Sequence, residues 1–252
     1  FFEQRGLNLQ VERGGRIFPA RGGARDVQKV LCRFVEDAGV EIRTSCPVRE
    51  VVCQENRIVE VRSANESFVA RNFIIATGGL SYPKTGCTGD GYRWAKEQGH
   101  RIIDTQPSLV PILLEDSWTA EVSDFNLKNV RISVRQNGQV LTERFGEAFF
   151  TRNGIGGPII LDLSGEVRAA LTHGKVSLVL DLKPAVETQV FDRRLQRELA
   201  ENSNRDFRNS LTELLPKAMI PLFIRLSGID PHKKCHSISK DERKKLLQLF
   251  KG

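Results

Sequence analysis

The residues best placed to do chemistry lie between positions 74 and 91. Ile74-Ile75-Ala76-Thr77-Gly78-Gly79 runs on to Ser81-Tyr82-Pro83-Lys84-Thr85-Gly86-Cys87-Thr88-Gly89-Asp90-Gly91. The apolar half reads as a buried strand, and the paired glycines after Thr77 let the main chain turn where a Cβ would clash. The carboxyl end of a sheet strand is where α/β folds take ligands. Three further glycines, at 86, 89 and 91, let main chain come close to a flat ring or a phosphate. Thr88-Gly89-Asp90-Gly91 then opens a helix. Asp90 suits the positive end of the helix dipole, and the free amides there suit an anion. A lone Gly-Gly pair would be read as a tight turn. A strand, two turns and a helix start in one run point instead to a binding loop, with Ala76, Thr77, Gly78, Gly79, Tyr82, Thr88, Gly89, Asp90 and Gly91 as its candidate ligand contacts.

The elements that must position this loop can be read on either side of it. Leu7 to Val11 and Arg16 to Phe18 read as short strands. Asp26 to Ala38 reads as an amphipathic helix, with Val27, Val30, Leu31, Phe34 and Val35 on one face and Gly39 as its stop. Val40 to Arg43 alternates as a strand, and Val48 to Gln54 with Arg57 to Arg62 forms a hairpin around Glu55-Asn56. Phe68 to Thr77 is predicted to be a buried strand of a parallel sheet. A helix follows from Asp90 and ends before Gly99, with Trp94 in the core and His100 at the cap. From 109 to 186 the chain reads as strand-rich: Val130 to Val134 alternates, Asn137-Gly138 signals a two-residue hairpin, and Lys175 to Leu182 alternates again. Gly154, Gly156 and Gly157 are read there as shaping a barrel turn.

The remainder is helical. Val190, Phe191, Leu195 and Leu199 share a face, and the spacing continues from Leu211 to Leu226, interrupted by Pro216 and Pro221. Ser239 and Glu242 form a capping box ahead of Leu246, Leu247 and Phe250.

Composition limits the alternatives. With 40% hydrophobic and 27% charged residues over 252 positions, the chain is that of an ordinary globular protein. It has no apolar run long enough for a membrane span. The five cysteines are odd in number, fit no zinc spacing and read as reduced thiols, which points to the cytoplasm; the scattered histidines offer no metal site. A net charge of +7 suggests anionic partners. The basic cluster Lys240, Arg243, Lys244 and Lys245 reads as the solvated face of a helix.

The glycine run resembles that of the FAD-dependent flavoprotein family of aminoacetone-oxidase and bile-acid-reductase type. That family shows Ala-Thr-Gly-Gly, Ser-Tyr-Pro and Thr-Gly-Ser-Thr-Gly-Asp-Gly in the same order. Gly15-Arg16-Ile17-Phe18-Pro19, Pro107-Ser108-Leu109-Val110-Pro111, Gly146 to Thr151, and Gly154-Ile155-Gly156-Gly157-Pro158 are similar to further family segments. Thr-Gly-Asp-Gly alone is less specific, because flavoproteins of fumarate-reductase type resemble it too. Cys87 stands where the family has Ser, and Arg21-Gly22-Gly23-Ala24 stands where it has Ser-x-Lys-Ala. The family's opening Gly-x-Gly-x-x-Gly, which seats the FAD pyrophosphate, does not occur, nor does its closing Gly-rich segment over the flavin. The expectation is therefore the middle part of a longer protein.

The resemblance implies an α/β fold: a partial Rossmann-like FAD-binding domain over 1–111, an inserted β-barrel-like domain over 112–186, a helical subdomain over 187–238 and a helix over 239–252 that returns towards the FAD-binding domain. It implies FAD as cofactor, NAD(P)H as reductant and a small organic substrate, with Val48 in a strand that offers backbone groups to the adenine. Read from the sequence alone, Val48 is equally a sheet core residue. No residue stands out as catalytic, which suits chemistry carried by a cofactor. Two other function classes remain beside this one. One is a non-catalytic flavin-binding protein. The other is a nucleic-acid-binding module, motivated by the pI near 9.3; it ranks lower because the chain has only two Tyr and two Trp and no reader motif.

Overall fold

A computed structural model describes residues 1–12, 15–123 and 125–252. The chain divides into two units, Phe1–Gln106 and Pro107–Gly252. It is a mixed α/β protein whose second unit contains a barrel-like sheet, as the sequence implies.

In the first unit, β1 (Leu9–Val11) and β2 (Ile17–Pro19) form an antiparallel ribbon. Helix α1 (Ala24–Asp37) follows. Its first turn is closed by the Asp26 carboxylate, which accepts from the Gly23 amide at 3.0 Å, and Gly39 stops it with φ 69°. Strands β3 (Glu50–Gln54) and β4 (Arg57–Arg62) make the expected hairpin, with Glu55 and Asn56 both at positive φ in its turn. β5 (Ser67–Val69) adds a third antiparallel strand, and α2 (Asp90–Glu97) buries Trp94.

Two expected strands of this unit are not formed. Val40 to Arg43 is irregular and exposes Val40 and Ile42. The run Phe73 to Ala76 is also irregular, and Ile74 is 91% exposed rather than buried. The physical reason is pairing. An apolar strand is stable only when a neighbour takes its backbone hydrogen bonds, and the described strands of this unit pair among themselves.

The second unit is built on a five-stranded antiparallel sheet in the order β10-β7-β8-β9-β6. These strands are β6 (Ile112–Leu113), β7 (Asn126–Gln136), β8 (Gln139–Thr151), β9 (Gly154–Gly156) and β10 (Ser177–Asp181). Asn137-Gly138 is the predicted hairpin turn, with φ 51° and 79°, the pair of left-handed residues such a turn requires. Two register shifts along β7 and β8 help the sheet curl into half a barrel. Gly154 and Gly157 allow the close approach this needs. A Cβ on Gly154 would strike the Ile112 carbonyl, and one on Gly157, at φ 105°, would come within 2.7 Å of the Ala148 Cα.

A helix that the strand-rich reading of 109–186 does not contain, α3 (Pro158–Leu171), packs against β7, β8 and β9. Its signals are present in the sequence: Pro158 at the first turn, then Ile159, Ile160, Leu163, Val167 and Ala170 at helical spacing, all buried.

The helical part comprises α4 (Thr188–Glu201), α5 (Ile220–Ser227) and α6 (Lys240–Lys251). Phe191, Leu195 and Leu199 of α4 are buried as predicted, whereas Val190 is exposed. The stretch from Leu211 is not one long helix. Leu211, Leu214 and Leu215 are buried in turns, and α5 starts only at Ile220 with Pro221 in its first turn. The capping box is formed: the Ser239 amide donates to Glu242 Oε2 at 2.7 Å, and the Glu242 amide to Ser239 Oγ at 3.2 Å. The rings of Phe191 and Phe223 pack on Phe250, with centroids 4.9 and 5.0 Å away. The end of α6 returns to the sheet. Lys251 Nζ donates to Asp181 Oδ2 at 2.7 Å and to the carbonyls of Lys183 and Val186 at 2.9 Å, and the Leu182 amide donates to the Phe250 carbonyl.

Candidate functional site

The predicted loop lies wholly in the first unit, between β5 and the first turn of α2. Ala76, Thr77 and Gly78 are exposed and Gly79 is half-buried. From 70 to 81 the backbone makes no hydrogen bond with the rest of the described chain. Its amides and carbonyls therefore face water or a partner. Gly78, at φ 71°, turns the chain away from the extended run.

Tyr82 holds a left-handed backbone, φ 54°, at the start of a single helical turn, and its side chain is exposed. That turn is fixed by Thr85, whose amide and hydroxyl both donate to the Tyr82 carbonyl, at 2.8 and 2.7 Å. A left-handed backbone at a non-glycine position is held by such local bonds at a cost of about 1–3 kcal/mol.

The two limbs of the loop fold against each other, and glycines make this possible. A Cβ on Gly91 would lie 2.6 Å from the Thr77 hydroxyl, and one on Gly89, at φ 83°, 2.7 Å from a Leu80 methyl. One on Gly78 would lie 3.0 Å from the Cys87 sulfur. The structure thus sets Gly91 against Thr77, Gly89 against Leu80 and Gly78 against Cys87. A Cβ on Gly79 would lie 3.3 Å from the Tyr92 hydroxyl.

At the head of α2, Asp90 accepts from the Thr88 hydroxyl at 2.7 Å and from the Arg93 guanidinium at 3.0 Å. The Thr88 bond first, then Arg93, holds the Asp90 carboxyl below the usual carboxylate range. Arg93 was not singled out in the sequence, although its spacing of three residues from Asp90 on a helix is a recognisable signal. This carboxylate sits at the positive end of α2, where the sequence reading leaves room for an anion. An ionised acid there favours hydroxyl or amine donors over phosphate.

Val48 is half-buried and lies two residues before β3, outside the strand in which it was expected. Beside the loop, a cavity of about 520 Å³ is lined by Val51, Cys53 and Ile58 of the hairpin, Ile75, and Trp94 and Ala95 of α2. The Trp94 indole N–H is buried and has no partner among the described residues. His100 follows Gly99, and its amide closes the end of α2 on the Ala95 carbonyl at 3.0 Å, the capping role expected of it. All five cysteines are free. No helix among the described residues is long and apolar enough to cross a membrane.

Comparison with known proteins adds the following. The sequence profile of the HI0933-like protein barrel and H2TH domain matches residues 106–252. A 3-dehydro-bile acid delta(4,6)-reductase of Clostridium scindens is 27% identical over 230 residues, covering 91% of this chain and 56% of the relative. A ribosomal RNA dihydrouridine synthase of Haemophilus influenzae is 24% identical over 250 residues, covering 98% of this chain and 59% of the relative. A protein of the same name from Escherichia coli is 27% identical over 157 residues, covering 62% and 36%. The chain thus spans little more than half the length of the first two relatives.

Proposed function

The chain belongs to the HI0933-like family, and from that premise we propose that it is part of an FAD-dependent reductase that saturates a carbon–carbon double bond. The observation that carries this reading is the loop at 76–91. It combines a stretch of backbone at 76–81 without internal hydrogen bonds, a glycine-lined close approach and one ionised carboxylate at a helix head. The names of the relatives agree on the reaction class. A delta(4,6)-reductase and a dihydrouridine synthase both name the addition of two hydrogens across a double bond.

These residues fit a flavin. Gly78, Gly89 and Gly91 let the limbs of the loop pack on each other, which leaves the exposed main chain at 76–78 open to a flat ring. The free amides at 76–80 offer donors to ring carbonyls and nitrogens. Asp90, held in place by Thr88 and Arg93, accepts from a polyol hydroxyl such as those of the ribityl chain. When bound, reduced flavin supplies the hydride. NAD(P)H is the proposed reductant. No Gly-x-Gly-x-x-Gly run occurs in these 252 residues, so the pyrophosphate is assigned to none of them.

The test is spectroscopic. Expressed from its complete gene, the protein should purify yellow, with a visible flavin band that NADH or NADPH bleaches. Gly91→Val should deplete the bound flavin, because its side chain would press on Thr77 and Ile75. A colourless protein that gains no flavin band when FAD is added, or a Gly91→Val variant with full flavin content, would overturn the assignment.

A further inference from the structure

The join between the sheet and the helical part holds a cavity of about 280 Å³, wholly inside the second unit. β7 contributes Leu127 and Val130, and the turns ahead of α5 contribute Leu214, Leu215 and Met219. All five are buried. The polar side chains of the cavity are those of Asn126, Lys128 and Lys183. Among the described residues no carboxylate lines it.

Lys183 lacks the partners that a half-buried cation needs. Its ammonium has no hydrogen bond or ion pair among the described residues, whereas that of Lys251 nearby has three acceptors. The carboxylate closest in sequence is already committed. Asp181 Oδ1 accepts from the Lys183 amide at 2.8 Å, and Oδ2 from Lys251 Nζ at 2.7 Å. Burial first, then the guanidinium of Arg194 on α4, holds the Lys183 ammonium below the usual lysine range. Arg194 itself donates to the Glu213 carbonyl at 3.4 Å and lies 3.9 Å from Glu198. Lys128, exposed at the cavity, also has no ion pair among the described residues. Partly desolvated positive charge without a counter-charge is costly, and an anion in the cavity relieves it.

We propose that this cavity binds a small apolar monocarboxylate, its head held by Lys183 and its hydrocarbon body against Leu127, Val130, Leu215 and Met219. The negative head follows from two lysines at a cavity without a described acid. The apolar body follows from the walls, which belong to the core. A monoanion suits a partly buried site better than a phosphate, because a second charge adds to the cost of desolvation. The volume lies near the small end of ligand pockets, which run from about 300 to 1,000 Å³, and favours a short chain over a nucleotide. Both the sheet and the helical part line the cavity, so its occupant ties them together and stabilises the unit by linkage. The proposal goes beyond the reductase reading and does not depend on it.

The test is isothermal titration calorimetry of the 252-residue chain with octanoate as the probe. One molecule should bind, and affinity should rise about fourfold for each methylene between butanoate and octanoate. Octanol keeps the tail without the charge and should bind about tenfold more weakly or worse. Lys183→Met keeps the reach of the side chain and removes its charge, and should weaken octanoate by about tenfold or more. Lys175→Met, at a lysine that does not line this cavity, should leave the affinity unchanged. Circular dichroism checks the folding of each variant. The unaltered chain supplies a second readout: octanoate should slow the acetylation of Lys183 by acetic anhydride, followed by mass spectrometry. No detectable binding, an affinity indifferent to chain length, octanol binding as well as octanoate, equal losses from the two lysine variants, or Lys183 acetylated as fast with octanoate as without would each overturn the proposal. None of these readouts involves flavin, so a failure here leaves the cofactor assignment standing.

Discussion

The two units differ in how they use apolar residues. Among the described residues, the first unit buries two large apolar side chains, Leu7 and Trp94, and exposes Val11, Ile17, Val69, Ile74 and Ile103. The second unit buries one continuous cluster that runs from Val122 on the sheet to Phe250 on α6. Similar residue types thus serve a closed core in one unit and open faces in the other. The difference shows that apolar periodicity specifies a face and leaves its cover unspecified. In the second unit, α3 covers the sheet and the helices cover one another. In the first unit, the run at 73–76 has the composition of a central strand and finds no described strand beside it.

The contrast can be broken most forcefully in the second unit. Phe250→Ala removes a ring that is fully buried and touches two others. It should cost about 3–5 kcal/mol, read as a lower urea midpoint of the second unit. A loss below about 1 kcal/mol would mean the cluster is looser than its burial indicates. Ser239→Ala leaves the Glu242 amide without its cap and should cost about 1 kcal/mol, measured by the same denaturation. An unchanged midpoint would show that α6 is held by packing alone. The smallest effect belongs to the first unit. Ile74→Thr, at a side chain 91% exposed, should change stability by less than about 0.5 kcal/mol. A larger destabilisation would show that the run at 73–76 is covered in solution after all, and the contrast between the units would fail.

Much of this was legible in the sequence, for reasons tied to particular residues. Glu55-Asn56 and Asn137-Gly138 gave both hairpins because a two-residue turn demands left-handed backbone, which few residues tolerate. Ser239 and Glu242 marked the start of α6 because their side chains complete local hydrogen bonds. α3 is not legible in the sequence because Pro158-Ile159-Ile160 begins an apolar segment that suits a buried strand as well as a helix, and glycines precede it. The run at 73–76 reads as a strand in sequence yet forms none, because composition speaks only of the face and pairing is a property of neighbours. At the candidate site, the glycines and Asp90 were legible from type and spacing. The pressing of Gly91 on Thr77 was not, since it depends on how two limbs fourteen residues apart meet.

The Lys251 clamp has a consequence for how the second unit opens. Its ammonium ties the last turn of α6 to Asp181 at the end of β10 and to the connection that leads into α4. Any fluctuation that frees the sheet's edge strand must also release the helix that ends the chain, and the reverse holds. The sheet and the helices, separable as blocks along the sequence, are therefore expected to open as one foldon, with amides in β10 and α6 exchanging through a shared event.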